Sequence, residues 1–183
     1  IIPVHIYGNP CDFESIKAKS EEEKIPIIED ACQAHGAEYN NKKVGSLGDV
    51  GCFSAHPLKN LNALGDAGYL TTNNKNIYDK IKNLRSHGME ESRNNIKNFG
   101  YVSRMDNLQA AVLNFRIKKL KKITTIRRNN ANLYLRNLNL DNVYFPMEKK
   151  EEFNTYHTFV IQVKDRDKLR KYLKKKGVET AIH

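Results

Sequence analysis

The sequence predicts an α/β fold on three observations. Ile25-Pro26-Ile27-Ile28-Glu29 is a short apolar run between polar segments, the pattern of a strand buried in a parallel sheet. Helical spacing of apolar residues flanks that run and recurs downstream. An acid, Asp30, falls at the carboxyl end of the run, where open α/β sheets hold their ligands.

The elements follow in order. Ile1-Ile2-Pro3-Val4-His5-Ile6-Tyr7 reads as a strand entered partway, without the starting Met and basic stretch of a signal peptide. Residues 12–23 predict a helix, with Asp12 as its N-cap and Phe13, Ile16 and Lys17 near its inner face. Pro26 is placed at the start of the apolar strand, where strands tolerate a proline. Glu38-Tyr39-Asn40-Asn41-Lys42-Lys43-Val44 predicts a small hairpin turning on Asn40-Asn41. Cys52-Phe53-Ser54 and Gly68-Tyr69-Leu70-Thr71-Thr72 predict two more strands, joined by an irregular segment that carries Lys59.

Residues 74–87 predict a helix with Ile77, Ile81 and Leu84 on one stripe, ended by Gly88. Residues 90–100 are polar and without period, and predict a loop. From 105 to about 138, apolar residues recur at helical spacing, as one long helix or two in succession. A domain boundary is expected within this span near Lys118, dividing the chain into 1–118 and 119–183. Thr158-Phe159-Val160-Ile161-Gln162-Val163 predicts a strand, 166–176 a helix closed by Gly177, and 178–182 a last strand.

Composition narrows the function classes. At 183 residues the chain can bury a good core. No apolar run reaches the roughly 18 residues that a membrane helix needs. Cys11, Cys32 and Cys52 are odd in number and lack paired metal-ligand spacing, so they read as reduced thiols of a cytoplasmic protein, each a small buried hydrophobe. The net charge of +10 concentrates in Arg116-Ile117-Lys118-Lys119-Leu120-Lys121-Lys122 and Lys171-Tyr172-Leu173-Lys174-Lys175-Lys176. Both runs have helical spacing and read as solvated basic faces. No nucleic-acid motif accompanies them, so neither nucleic acid nor membrane is expected as a partner, and no metal. Such a positive surface can steer an anionic substrate inward.

The chemistry-bearing stretch is Phe53-Ser54-Ala55-His56-Pro57-Leu58-Lys59-Asn60-Leu61, read with Glu29-Asp30-Ala31-Cys32-Gln33. A partly desolvated lysine can hold an aldehyde cofactor as a Schiff base. A carboxylate beneath the ring nitrogen of such a cofactor keeps the pyridine protonated and electron-accepting.

Glu29-Asp30-Ala31-Cys32-Gln33-Ala34-His35-Gly36-Ala37, Gly45-Ser46-Leu47-Gly48-Asp49-Val50-Gly51-Cys52-Phe53-Ser54, Pro57-Leu58-Lys59-Asn60-Leu61 and Gly65-Asp66-Ala67-Gly68 together resemble the DegT/DnrJ/EryC1/StrS family. The likeness runs in order through Gly100-Tyr101-Val102-Ser103-Arg104-Met105-Asp106 to Thr180-Ala181-Ile182-His183 and covers essentially the whole chain. It implies a type I pyridoxal-phosphate fold, like that of aspartate aminotransferase: part of the large domain, then the start of an α+β small domain. It also implies an aminotransferase that moves an amino group from an amino acid, glutamate by resemblance, to a nucleotide-linked keto sugar. Cell-surface polysaccharide or related amino sugars are the implied destination.

Site roles are likewise implied by the resemblance. Lys59 would bind pyridoxal 5'-phosphate and move the proton, and Asp30 would pair with the pyridine nitrogen. Glu29 is the competing acid, and capping of the segment after it is the other use of Asp30. Gln33 would meet the phenolic oxygen or the ring, and Ser54 would donate to the phosphate. His56 would shape the pocket wall or serve acid–base chemistry, Gly65 to Gly68 would make a tight turn, and His183 would lie towards substrate.

One departure is visible. Val102 stands where the family has an asparagine that reaches the partner subunit's cofactor phosphate, and valine cannot donate a hydrogen bond. Ser103 would point elsewhere in an extended segment. Family members are about twice this length, so the phosphate-gripping helix terminus and the ring-stacking aromatic are expected upstream, and the rest of the small domain downstream. The whole protein is expected to be a homodimer. Two other readings remain: a non-catalytic or truncated relative, and a sugar dehydratase, whose relatives carry histidine in place of the lysine.

Overall fold

A computed structural model of the chain describes residues 1–89, 94–96, 98–138 and 140–183. Of the loop expected at 90–100, residues 90–93 and 97 lie outside these.

Helix α1 (Phe13–Glu23) closes on Lys24 in the left-handed region, with the Ile25 N–H bonded to Ser20 O at 3.0 Å. Asp12 takes the N-cap position, but its carboxylate accepts from the Ser15 hydroxyl at 2.9 Å and caps no backbone N–H. Phe13 packs in a core with Ile27 and Tyr39, joined by Ile16, whereas Lys17 is exposed and pairs with Glu21.

Strand β1 (Ile28–Asp30) is shorter than the apolar run and displaced by one residue. Pro26 has no N–H to offer, and the Ile27 N–H goes to Asp49 Oδ2 at 2.8 Å instead of to a ladder. Strands β2 (Glu38–Tyr39) and β3 (Lys42–Lys43) form the expected hairpin, with Asn40 and Asn41 both at positive φ. Strand β4 (Val50–Ser54) pairs parallel to β1, and β5 (Gly68–Thr71) pairs antiparallel to β4. The first sheet is therefore ordered β1-β4-β5. Residues 1–5 run along its β1 edge, through Ile28 N to Ile1 O, Asp30 N to Pro3 O and His5 N to Asp30 O. Of the strand expected there only Val4 makes a bridge, and residues Ile6–Gly8 turn into a single 3-10 turn.

Helix α2 (Lys75–Leu84) is capped by Asn74, whose side chain accepts from the Asn76 and Ile77 N–H groups. The long helical span resolves into α3 (Asn107–Ile117) and α4 (Leu120–Asn137), which break at Lys118-Lys119. Strand β6 (Val143–Tyr144) pairs with β8 (Gln162–Val163), so only the end of the run 158–163 is a strand. Strand β7 (Glu152–Phe153) returns to pair with β2, making a second sheet ordered β3-β2-β7. Helix α5 (Arg166–Lys175) ends before Gly177 at positive φ. Residues 178–182 are exposed and not a strand, having no ladder partner among the described residues. No helix among the described residues is long and apolar enough to cross a membrane.

Candidate active site

The site is built where β1 and β4 end. Register places Asp30 beside Cys52, and strand alternation puts Ser54 on the same face two residues on. Asp30 is half-buried, and its Oδ1 accepts the Cys32 N–H at 3.1 Å. That bond forms a local turn, so Asp30 begins no helix. Glu29 has no share in this face. Fully buried, it spends both oxygens on His5, Gly45, Leu47 and Gly48.

Lys59 lies on the β4–β5 connection, a loop tied at several points. Ala55 N bonds Ala67 O at 2.7 Å and Ala63 N bonds Ala55 O at 2.8 Å, over a core of Ala55, Leu61, Ala63 and Leu113. The Lys59 N–H reaches His56 O at 2.9 Å, and Arg116 Nη1 donates to Asn62 O at 3.1 Å. Next to the lysine, buried Asn60 donates to Thr155 O at 3.1 Å. Lys59 is half-buried and pairs with no carboxylate among the described residues. Its backbone is thus fixed by the loop, while its side chain has no anionic partner among the described residues.

Burial, then the positive charge of Lys59, pushes both His35 and His157 down to about 4. Burial and then Asp30 push the Cys32 thiol up to about 11, partly opposed by Lys59. Burial also pushes the Cys11 thiol up to about 11, and all three cysteines are free and half-buried, not fully buried as the sequence suggested.

Gln33 is half-buried, and its Oε1 accepts the Tyr7 N–H at 2.7 Å, with no bond from its amide NH2 among the described residues. Tyr7 adopts a left-handed conformation, φ 61°, and its ring meets His183 edge-on at 5.1 Å. The fold therefore brings His183 to Gln33 through Tyr7, across almost the whole length of the chain. Ser54 Oγ accepts the His56 N–H at a long 3.4 Å, and its hydroxyl proton remains available. His56 is half-exposed and 3.9 Å from Asp66, on the rim of the loop. Val102 is extended, bridges Ser86 and is 70% exposed, and the neighbouring Ser103 N–H bonds Arg85 O.

Sequence reasoning missed His35, His157, Tyr7 and Thr155. His35 stands between Ala34 and Gly36, small residues that mark a crowded position and are the signal that could have found it. Its ring packs against Phe53 and Tyr69, and neither ring nitrogen has a hydrogen-bond partner among the described residues. His157 arrives with the returning 154–158 segment, which no local pattern announces.

The lysine is thus half-buried on a braced loop, and Asp30 lies at the end of the strand that pairs with β4. The model of the DegT/DnrJ/EryC1/StrS aminotransferase family matches residues 1–183, and the chain belongs to that family. It is 39% identical over its whole length to a dTDP-3-amino-3,6-dideoxy-alpha-D-galactopyranose transaminase of Aneurinibacillus thermoaerophilus, covering 50% of that protein. It is 38% identical to a protein of Geobacillus stearothermophilus named pleiotropic regulatory protein, again covering 50% of it. Among solved structures, a DegT DnrJ EryC1 StrS aminotransferase from Brucella abortus superposes with TM-score 0.95 at 32% identity, over 100% of this chain and 48% of that one. S. venezuelae DesV, in complex with a ketimine intermediate, gives TM-score 0.93 at 33% identity, over 97% of this chain and 48% of that one. The fold is thus that of the family's aminotransferases, and the chain spans about half the length of the relatives it matches.

Proposed function

We propose that this chain is part of a pyridoxal-phosphate-dependent sugar aminotransferase. It would move an amino group from an amino acid, glutamate in this reading, to a nucleotide-linked keto sugar for cell-surface polysaccharide or related amino sugars. The observation that carries the reading is Lys59: half-buried, without a carboxylate partner among the described residues, and braced beside Asn60. Relatives named as nucleotide-sugar transaminases support the substrate class.

The donor set fits the cofactor group by group. Lys59 offers an amine to its aldehyde, Asp30 a carboxylate to its ring nitrogen, Gln33 a free amide NH2 to its phenolic oxygen, and Ser54 a hydroxyl proton to its phosphate. When bound, pyridoxal phosphate supplies a protonated ring that takes up electrons from the substrate carbon. The chain's own part is to hold and orient. Lys59 Nζ would hold the cofactor's aldehyde until the amine of the donor displaces it, and the freed amine would then serve as the proton carrier at the substrate carbon. Gln33, fixed at its carbonyl end by Tyr7, would keep one edge of the ring in register, and His183 would lie towards the substrate, a reading supported by its ring contact with Tyr7. Amino donor and sugar would occupy this one place in turn.

In this proposal residues 1–118 belong to the large domain and 119–183 to the small one, the helix break at Lys118-Lys119 supporting the division. The whole protein would be a cytoplasmic homodimer. A second reading, a non-catalytic regulator, is favoured by Val102 in place of the family asparagine and by the relative named a pleiotropic regulatory protein. The dehydratase reading loses support because Lys59 is present.

The test is the visible absorbance of the full-length protein with pyridoxal phosphate, wild type against Lys59→Ala. The aminotransferase reading expects a lysine-bound cofactor band in wild type, bleached by glutamate and absent from the variant. A wild-type protein that never forms the band favours the regulator.

A further inference from the structure

Glu29 is a buried charge that the proposed chemistry does not use. Its Oε2 accepts from His5 Nε2 at 3.0 Å and from the Gly45 N–H at 2.6 Å. Its Oε1 accepts from the Leu47 and Gly48 N–H groups at 2.8 and 2.7 Å. A carboxylate buried without such donors would be very costly. Here burial raises its pKa, but the bonds from His5, Gly48 and Gly45 outweigh burial and hold it below the ordinary carboxylate range.

His5 is also fully buried, and its Nδ1 accepts the Cys11 N–H at 3.2 Å. The ring proton therefore resides on Nε2, pointed at Glu29. The same residue's backbone N–H donates to Asp30 O at 3.0 Å, while the Asp30 N–H donates to Pro3 O at 2.8 Å. A closed circuit results: Glu29 carboxylate, His5 ring, His5 backbone, Asp30 backbone, and the peptide bond back to Glu29. The His5 end of that circuit answers to Glu29, and the Pro3 carbonyl takes the Asp30 N–H along the same edge of β1.

We propose that Glu29 and His5 are positioning residues for Asp30: their buried hydrogen bond locks the backbone that aims the Asp30 carboxylate at the cofactor ring nitrogen. The inference rests on the reading of Asp30 given above. Strand alternation divides the labour, one acid of the Glu29-Asp30 pair facing its cradle and the other the site. The Gly45 to Gly48 turn is the cradle. Gly45 has φ +84°, and a Cβ there would lie 2.3 Å from the Phe53 ring, so the backbone N–H groups approach Glu29 on a path closed to larger residues.

The experiment uses the full-length protein and pyridoxal phosphate, with two readouts: the cofactor dissociation constant by fluorescence titration, and the visible absorption maximum at fixed pH. Glu29→Gln keeps the shape but offers NH2 where an acceptor is needed, and His5→Phe removes the donor. Both are expected to weaken cofactor binding about tenfold, the scale of one charge-assisted hydrogen bond, and to move the maximum in the direction of Asp30→Asn. His5→Gln, which restores a donor, is expected to recover most of the loss. If Glu29→Gln does not fold, the two His5 variants decide on the same readouts. Variants that lose thermal stability while keeping wild-type affinity and maximum would overturn the positioning role. If Asp30→Asn itself moves neither readout, the Asp30 reading falls, and this inference with it. If Asp30→Asn moves both and Glu29→Gln neither, only the inference falls.

Discussion

His35 and His157 show what a residue's surroundings add to its identity. Both rings are held neutral down to about pH 4, where an ordinary histidine protonates near 6.5, and burial is the first cause in each. An unfolded chain would take up those protons at the ordinary value. Unfolding therefore binds protons between about 6.5 and 4, and stability, full above that window, falls as the pH drops through it. Urea titrations at pH 7.5 and pH 5 should show the loss. His35→Leu, of similar volume between Phe53 and Tyr69, should reduce the pH slope by removing one of the two groups. A slope unchanged by His35→Leu would place the proton uptake elsewhere. The neighbouring acids teach the same lesson. Glu29 and Asp30 are adjacent and chemically alike, and only their opposite directions separate a buried anchor from a group open to a ligand.

Elements end where backbone groups find or lose partners. Helix α2 begins at Asn74 because its side-chain oxygen accepts two N–H groups that the first turn cannot satisfy. Asn74→Ala should cost about 1 kcal/mol of stability, measured by urea unfolding, with Asn74→Asp close to wild type. The hairpin on Asn40-Asn41 formed as read, because both residues accept the positive φ that its turn demands. The strand read at 178–182 did not form. Its composition is strand-like, but a strand exists only against a neighbour, and residues 178–182 have none among the described residues. Strand β1 shifted for a similar reason, once the Ile27 N–H was taken by Asp49.

At the scale of the whole molecule, the returning segment around β7 joins the second half of the chain to the first. Arg128 from α4 holds it, forking onto Glu148 at 2.8 and 2.9 Å, donating to Asn154 O at 2.6 Å and lying 4.2 Å over the Phe153 ring. The loop it braces presents the Thr155 carbonyl to Asn60 and carries His157, whose ring feels the charge of Lys59. Arg128→Ala should cost roughly 2–3 kcal/mol, since it strands a partly buried carboxylate and a carbonyl. Arg128→Lys should recover little, because an ammonium cannot fork. Urea unfolding gives the cost, and hydrogen exchange over 152–158 should rise in both variants. The sequence by itself determined the fold class, most helices and strands, and Lys59, Asp30, Gln33, Ser54 and His183 as the candidate site residues. Those depend on local periodicity, turn chemistry and motif order, which are written along the chain. Only the tertiary structure decided which acid of the pair faces inward, how His183 reaches Tyr7, and which histidines are buried within the field of Lys59. Those outcomes depend on contacts between segments up to about the full chain length apart and on competition for each N–H and carboxylate, and no local pattern records either.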